Sequence, residues 1–187
     1  MKIIIIFGPP GSGKGTQAGM LAEKFKFKHV STGKIFREEI ANRTEIGKIA
    51  ETFIDKGNLV PDKIVCKLVE DFLVEHKKGK GLIFDGFPRT LKQAEIFESF
   101  LKDKKIADLT IINLAVDNKE LMKRLLKRAK IEGRNDDTKE TIKVRLDVYR
   151  NQTEPILTFY KGKERILDIN GLGEIDDIHS NILKCFN

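Results

Sequence analysis

The apolar positions of this 187-residue chain fall into short runs separated by longer stretches with helical spacing. The runs are rich in β-branched residues, which is typical of buried parallel strands. They lie at Ile3–Phe7, His29–Val30, Leu82–Phe84, Leu109–Ala115 and Arg165–Ile169. Alternation of such strands with helices predicts an α/β protein, with a central parallel sheet of about five strands and helices on both faces.

The stretches between the runs predict the helices. In residues 61–76 the apolar side chains recur every three or four positions, as on one face of a helix. A helix is also expected over residues 118–130. A longer helical stretch, 138–161, is expected to be bent or interrupted at Pro155, because proline lacks the backbone donor that a helix interior needs.

Charge and hydropathy exclude several classes of function. The net charge is +7, but the lysines are scattered among glutamates, as on a solvated surface. The chain has no Trp and no interleaving of aromatic and basic residues, so we expect no nucleic-acid partner. No apolar run approaches the roughly 20 residues of a membrane span. Pro and Gly end the N-terminal run too early for a signal peptide, so we expect a cytoplasmic protein with no membrane partner.

The cysteines and histidines do not predict a metal site. Cys66 and Cys185 lie far apart in apolar helical patterns, and we expect both to be buried thiols in a reducing compartment. His29, His76 and His179 have no Cys or carboxylate partner at metal-ligand spacing. They are interpreted as structural or solvated side chains, and zinc is not expected.

The most specific motif, GPPGSGKGT, covers residues 8–16, directly after the first strand. A glycine-rich loop between a strand and a helix points backbone N–H groups at one spot, with the positive end of the helix dipole behind them. Lys14 supplies a charge for the β- and γ-phosphates, and a hydroxyl just beyond it can reach Mg²⁺. The usual pattern, G-x-x-x-x-G-K-[ST], is met except that Gly15 occupies its last position. A nucleoside-triphosphate site is therefore predicted. Its binding residues would be Gly11, Ser12, Gly13, Lys14, Gly15 and Thr16.

A second strand ends in an acid, Asp85, and is followed by the turn GFPRT over residues 86–90. The strand resembles a Walker B strand, whose carboxylate holds Mg²⁺ directly or through water. A helix cap explains a strand-terminal Asp at least as often. The turn would let a ligand approach the backbone closely, and it would fix the direction in which Arg89 projects.

Taken together, these motifs resemble the adenylate kinase family, within the nucleoside monophosphate kinase branch of P-loop proteins. In chain order they are GPPGSGKGTQ (8–17), STGKIFR (31–37), GNLVPD (57–62), FDGFPRTLKQ (84–93), the Arg124 and Arg128 pair, and GRNDD (133–137) with Arg145. The GKGT ending of the loop is typical of that family. The resemblance implies a single P-loop nucleotide kinase domain. It would have a core (1–30, 61–128 and 138–187), a helical NMP-binding flap (31–60) and a short lid (129–137).

The resemblance also implies roles for individual residues. AMP would be bound by Thr32, Arg37, Asn58, Leu59, Val60, Gly86, Phe87, Pro88, Arg89, Gln93, Arg134 and Arg145. The catalytic side chains would be Lys14, Arg89, Arg124, Arg128, Arg134 and Arg145. Arg128 and the backbone of Gly173 would lie near the base of ATP. Mg²⁺ would be held by Asp85, through water, and by Thr16.

Arginines suit this chemistry for a physical reason. Phosphoryl transfer needs positioning and charge stabilisation, and planar guanidinium clamps phosphate oxygens in a bidentate manner. Arg124 and Arg128 are four positions apart and share one helix face, which favours a common function over two solvated positions. For Asp136 and Asp137 two roles are open: orienting these arginines, or starting the next helix.

The length of the chain predicts the form of the lid. Only residues 129–133 separate Arg128 from Arg134, so the lid is short and has no cysteine cluster. Closure would keep water away from the γ-phosphate. Two positions depart from the family: Lys34 stands where Asp is usual, and Asn58 where Lys is common. Both lie in the expected acceptor pocket.

The expected activity is reversible Mg²⁺-dependent transfer of the γ-phosphoryl group of ATP to AMP, giving two ADP, by a monomer. A UMP/CMP kinase is the nearest alternative, and Thr32 and Thr90 favour AMP over it. A P-loop ATPase or nucleotide-driven switch would turn over ATP without an acceptor, and it leaves the GFPR turn and the paired arginines unexplained. A nucleic-acid binder would show strongly salt-dependent binding.

Overall fold

The computed structural model describes residues 1–106, 108–133 and 137–186. Within these ranges, five parallel strands form one sheet, in the order β2-β3-β1-β4-β5. The strands are β1 (Lys2–Phe7), β2 (Lys28–Ser31), β3 (Gly81–Asp85), β4 (Asp108–Ala115) and β5 (Arg165–Asn170). Each predicted strand is present, and its ends differ from the apolar run by one residue at most. The predicted fold class is confirmed.

Helices connect the strands and cover both faces of the sheet. They are α1 (Lys14–Phe25), α2 (Thr32–Ala41), α3 (Glu45–Ile54), α4 (Asp62–Glu75), α5 (Leu91–Asp103), α6 (Asn118–Glu132), α7 (Lys139–Val148), α8 (Pro155–Tyr160) and α9 (Ile175–Lys184). The predicted break in the long stretch 138–161 lies just before Pro155, in a π-helical turn over Tyr149–Thr153. Pro155 is the first residue of α8, where its missing N–H costs no hydrogen bond.

The central strand separates two apolar cores. Ile3 and Ile5 of β1 face a core built with α4, α5 and α8, whereas Ile4 and Ile6 face a core built with α1 and α9. All four side chains are at most 2% exposed. Burial of such a side chain stabilises the folded protein by about 1.5–3 kcal/mol. Because β1 has apolar side chains on both faces, it is most stable in the middle of the sheet, where both faces are covered.

A smaller core positions the helices beside the sheet. Leu121 and Leu125 of α6 pack against Ile142 and Leu146 of α7. This packing holds α6, which contains Arg124 and Arg128, next to the carboxyl ends of the strands. Parallel α/β sheets bind ligands at that edge.

The two cysteines differ from each other. Cys66 is buried in α4, as predicted, and burial raises the pKa of its thiol to about 11. The prediction for Cys185 was wrong, because this residue is only half-buried. It follows the last residue of α9 and packs at the margin of the core built with α1 and α9. Among the helices that the structure describes, none is both long enough and apolar enough to cross a membrane.

Candidate active site

One large cavity, of about 1100 Å³, lies at the carboxyl ends of the strands. Every described residue that the sequence predicted for the site lines it, from the phosphate loop to Gly173. Arg134 and Asp136, also singled out in the sequence, lie outside the described residues. Among the charged side chains of the described lining, basic ones predominate. They are Lys14, Lys34, Arg37, Arg89, Lys123, Arg124, Lys127, Arg128 and Arg145. A cavity lined in this way attracts polyanions such as nucleotide phosphates.

The phosphate loop connects β1 to α1, as predicted, and the last residues of its motif, from Lys14 on, already belong to the helix. Gly13 precedes the helix with a φ of 92°, in the left-handed region that favours glycine. Lys14 Nζ donates hydrogen bonds to the carbonyl oxygens of Gly8 (2.7 Å) and Pro9 (2.9 Å). The lysine therefore folds back over its own loop, within the cavity that the triphosphate would enter.

The charge state of Lys14 is set by its surroundings. Burial lowers its pKa from 10.5 to about 7, against the opposing attraction of Asp85. The positive charges of Arg89, Arg145 and Arg128 also contribute to this lowering of the pKa. An anionic phosphate chain bound here would raise the pKa again, because it would supply opposite charge close to the ammonium group.

Asp85, at the end of β3, lies beside the start of α1. Its Oδ2 accepts a hydrogen bond from Ser31 Oγ over 3.2 Å. A Cβ placed on Gly15 would lie 3.2 Å from the same oxygen, closer than side chains normally approach. The glycine that breaks the general P-loop pattern thus leaves room for the Asp85 carboxylate.

The turn after β3 holds the residues predicted for the acceptor. Gly86 has a φ of 84°, and a Cβ there would lie 2.7 Å from Arg89 Nη2 and 2.9 Å from Thr32 Oγ1. Its carbonyl oxygen accepts hydrogen bonds from Thr32 Oγ1 (2.9 Å) and Arg89 Nε (2.8 Å). Gly86 is therefore the point to which both side chains are tied.

Gln93, in the first turn of α5, lies beside this turn and is 1% exposed. Its Nε2 donates to Asp62 Oδ1 over 2.7 Å, and its Oε1 accepts from the backbone N–H of Arg89 over 2.7 Å. The sequence reasoning placed Asp62 only within a motif and missed its contact with Gln93. Because the two residues are separated by 31 positions along the chain, the sequence contains no local signal of this contact.

Asp137 joins two of the predicted phosphate-binding arginines. Its side chain is fully buried. It accepts hydrogen bonds from Arg128 Nε (2.7 Å) and Nη2 (2.9 Å), and it also forms an ion pair with Arg145. Of the two roles left open for this residue, orienting the arginines is the one the structure supports, because Thr138 caps α7.

Arg124 is held separately from this cluster. Its Nε donates to Glu120 Oε1 (2.9 Å) and its Nη1 to the carbonyl oxygen of Gly171 (3.0 Å). These contacts direct it toward the loop that contains Gly173. Lys123 and Lys127, on the same helix, also line the cavity and were not predicted. Each directly precedes one of the two predicted arginines, Arg124 and Arg128, and this position in the sequence was the signal that could have identified them as cavity residues.

The structure adds one contact from the π-helical turn. Thr153 Oγ1 donates to the carbonyl oxygen of Arg89 over 2.8 Å, and Thr153 is 7% exposed. Sequence reasoning missed this residue because a π-helical turn has no simple periodic signature. Such turns occur often at functional sites.

This parallel α/β fold, with a phosphate loop and an arginine-lined cavity at the strand ends, defines a P-loop nucleotide kinase.

A family model described as adenylate kinase matches residues 6–165. The chain is 47% identical over 184 residues to the adenylate kinase of Bacteroides fragilis, covering 98% of this chain and 97% of that protein. It is 44% identical over 187 residues to that of Parabacteroides distasonis, covering 100% and 98% of the two chains. To the adenylate kinase of Leptospira biflexa it is 46% identical over 184 residues, covering 98% and 99%. The chain belongs to the adenylate kinase family.

Proposed function

We propose that this protein transfers the γ-phosphoryl group of ATP to AMP, reversibly and by direct in-line displacement, giving two ADP. Family membership supports the reaction. The single observation that supports its location is the cavity itself. It is lined by the phosphate loop, by Gln93 with the turn of residues 86–89, and by the arginines.

The donor end is assigned to the phosphate loop. The backbone N–H groups of residues 11–16 would bind the phosphates of ATP, and Lys14 would move from its carbonyl partners to the β- and γ-phosphates. Because burial lowers its pKa to about 7, Lys14 would become more fully protonated as the triphosphate binds. Arg128 and the backbone of Gly173 would lie by the adenine of ATP.

Mg²⁺ accompanies ATP in this proposal. The Asp85 carboxylate, with the space that Gly15 leaves beside it, and the Thr16 hydroxyl are oxygen donors of the kind this ion prefers. When bound, the ion neutralises charge on the β- and γ-phosphates. Zinc has no part in the proposal. Within the described ranges, no group of three or more His, Cys, Asp or Glu residues is arranged to hold a metal ion.

The acceptor end is assigned to the pocket around Gln93. The base of AMP would contact the Gln93 side chain and the Gly86–Pro88 backbone, and Arg37 would bind the α-phosphate. Thr32, Asn58, Leu59 and Val60 would complete this pocket, since all four line the same cavity.

The arginines would stabilise the charge that spreads over the transferring phosphoryl group. Four of these arginines line the cavity: Arg89, Arg124, Arg128 and Arg145. Arg89, Arg128 and Arg145 lie close enough to Lys14 to lower its pKa. Arg134 is assigned the same role from the family motif. One arginine of this kind contributes on the order of 10³–10⁵ in rate in related phosphoryl transfers.

Closure of two segments would exclude water from the γ-phosphate. The NMP-binding flap (31–60) and the short lid (129–137) are the proposed moving parts, on a core of residues 1–30, 61–128 and 138–187. The enzyme is proposed to act as a cytoplasmic monomer whose partners are ATP, AMP and ADP, with neither nucleic acid nor membrane among them.

The test measures ADP formation from MgATP alone and with AMP, UMP, CMP or GMP added in turn. Stimulation by AMP is the expected result. Stimulation by UMP or CMP instead would leave the fold and the chemistry in place but change the acceptor. Equal turnover without any acceptor would contradict a kinase and indicate an ATPase.

A further inference from the structure

The side-chain amide of Gln93 is held from both ends. Nε2 donates to Asp62 Oδ1, and Oε1 accepts from the backbone N–H of Arg89, each over 2.7 Å. The backbone donor cannot rotate away, and a carboxylate oxygen can only accept. These two partners define which end of the amide is the donor and which is the acceptor.

A rotation of this amide by 180° would break both contacts. It would place Gln93 Oε1 against the Asp62 carboxylate and Nε2 against the N–H of Arg89, which pairs acceptor with acceptor and donor with donor. Since Gln93 is 1% exposed, water has little access to replace the lost partners, and buried unsatisfied polar groups are costly. The amide therefore has one stable orientation.

Asp62 is itself held in place. It is the first residue of α4, and its Oδ1 also accepts a hydrogen bond from Thr90 Oγ1 over 3.0 Å. The Thr90 oxygen in turn accepts from the backbone N–H of Gln93 over 3.1 Å. The single hydroxyl proton of Thr90 is thus committed to Asp62, which keeps the carboxylate oxygen aimed at Gln93.

In this orientation the amide keeps one N–H on Nε2 and one lone pair on Oε1 for a ligand in the cavity. Adenine matches that pair, because N1 accepts and the 6-amino group donates. Hypoxanthine and guanine present the reverse pattern, an N1–H donor and a 6-keto acceptor. They would be matched only by the rotated amide.

We propose that Asp62, supported by Thr90, is a specificity-determining residue: it locks the Gln93 amide and thereby selects 6-amino over 6-keto purine monophosphates. This inference rests on the proposed function, in which Gln93 faces the acceptor base. Asp62 acts through Gln93 and is a positioning residue rather than a catalytic one.

The test compares AMP with inosine monophosphate (IMP), a purine nucleotide of the same shape that carries the 6-keto group and the N1 proton. The variant is Asp62→Asn, because asparagine can either accept from or donate to Gln93 and so provides a partner for the rotated amide. The ratio of kcat/KM for AMP to that for IMP is expected to fall roughly 10-fold or more.

Two further variants make the result specific. Asp71→Asn removes an exposed carboxylate from the same helix, where it pairs with Lys67, and it should leave the ratio unchanged. Thr90→Val removes the second support of Asp62 and should lower the ratio by a smaller factor. If the Asp62→Asn variant does not fold, the AMP/IMP ratio of the Thr90→Val variant tests the proposal instead. Equal losses with AMP and IMP in these variants, or no preference for AMP in the unaltered enzyme, would overturn the proposal.

Gln93→Ala separates this inference from the proposed function. If Gln93→Ala leaves kcat/KM for AMP unchanged, Gln93 does not face the acceptor base, and the assignment of the acceptor pocket fails. If Gln93→Ala weakens the use of AMP but Asp62→Asn leaves the AMP/IMP ratio intact, only the locking role of Asp62 is wrong.

Discussion

Thr153 Oγ1 donates a hydrogen bond to the carbonyl oxygen of Arg89, and so ties the π-helical turn to the GFPR turn over a separation of 64 positions. The same backbone segment donates its N–H to Gln93. Arg89 is thus held at its carbonyl by Thr153 and at its N–H by Gln93, while its guanidinium reaches Gly86 and the cavity. Both contacts immobilise the backbone from which a proposed catalytic arginine projects.

We expect Thr153→Val to lower kcat while KM for both nucleotides changes little. Valine has the same shape but no donor, so the Arg89 carbonyl loses its partner in a part-buried position. A decrease of roughly 3- to 10-fold follows from one lost neutral hydrogen bond. Steady-state kinetics measure it, and Thr153→Ser, which retains the donor, should restore most of the rate. A Ser variant as slow as Val would assign the effect to packing instead.

Asp137→Ala is expected to destabilise the protein by about 3 kcal/mol, because it removes the buried carboxylate that Arg128 and Arg145 share. Thermal or urea unfolding gives this value. Asp71→Ala is the matched comparison, since Asp71 forms an exposed, solvent-screened ion pair with Lys67 whose loss should change the stability little. Similar losses in the two variants would show that Asp137 does not hold Arg128 and Arg145 as described.

Lys14→Met is expected to stabilise the ligand-free protein, and by an amount that depends on pH. The folded-state pKa of Lys14, about 7, lies below the 10.5 of the unfolded chain, so the unfolded state binds more protons between these values. The free-energy cost that Lys14 adds to folding, which comes from burying its positive charge, is complete below pH 7 and disappears as the pH rises toward 10.5. The advantage of the Met variant, on the order of a few kcal/mol, should therefore shrink over the same range.

Urea unfolding of both proteins at pH 6.5, 8 and 9.5 measures this dependence. A constant difference between Lys14→Met and the unaltered protein across the three pH values would show that burial does not lower the pKa of Lys14. The difference should also become smaller when ATP is present, since the bound phosphates favour the charged lysine.

Gly15→Ala is expected to raise the Mg²⁺ concentration needed for half-maximal activity. The added Cβ would lie 3.2 Å from Asp85 Oδ2 and would push this carboxylate from its position. Gly19→Ala is the matched control on the same helix, because a Cβ there meets nothing within 4 Å. It should leave the Mg²⁺ dependence unchanged and stabilise the protein by roughly 0.5–1 kcal/mol. An unchanged Mg²⁺ requirement in Gly15→Ala would argue against Asp85 as the metal-binding group.

The sequence by itself determined the strands, the phosphate loop and the family. Short β-branched runs such as Ile3–Phe7 have a buried strand as their favourable structure, so each strand was predicted to within one residue at each end. The loop of residues 8–16 was recognised because phosphate binding needs glycine and lysine at fixed spacing along the chain. The assignment of residues to the acceptor pocket came from family motifs in the same way and stays a prediction.

Only the tertiary structure decided how distant residues pair. Asp62 with Gln93 and Thr153 with Arg89 are contacts between residues whose own segments suggest no partner. For Asp137, the sequence left two roles open, and the fold selected the contact with Arg128. The order of the strands and the π-helical turn before Pro155 also depend on packing across the whole chain. A local sequence pattern predicts the secondary structure that its residues form with their neighbours along the chain. The partner of a buried polar group depends on which elements the fold brings together, and burial then makes that partner obligatory.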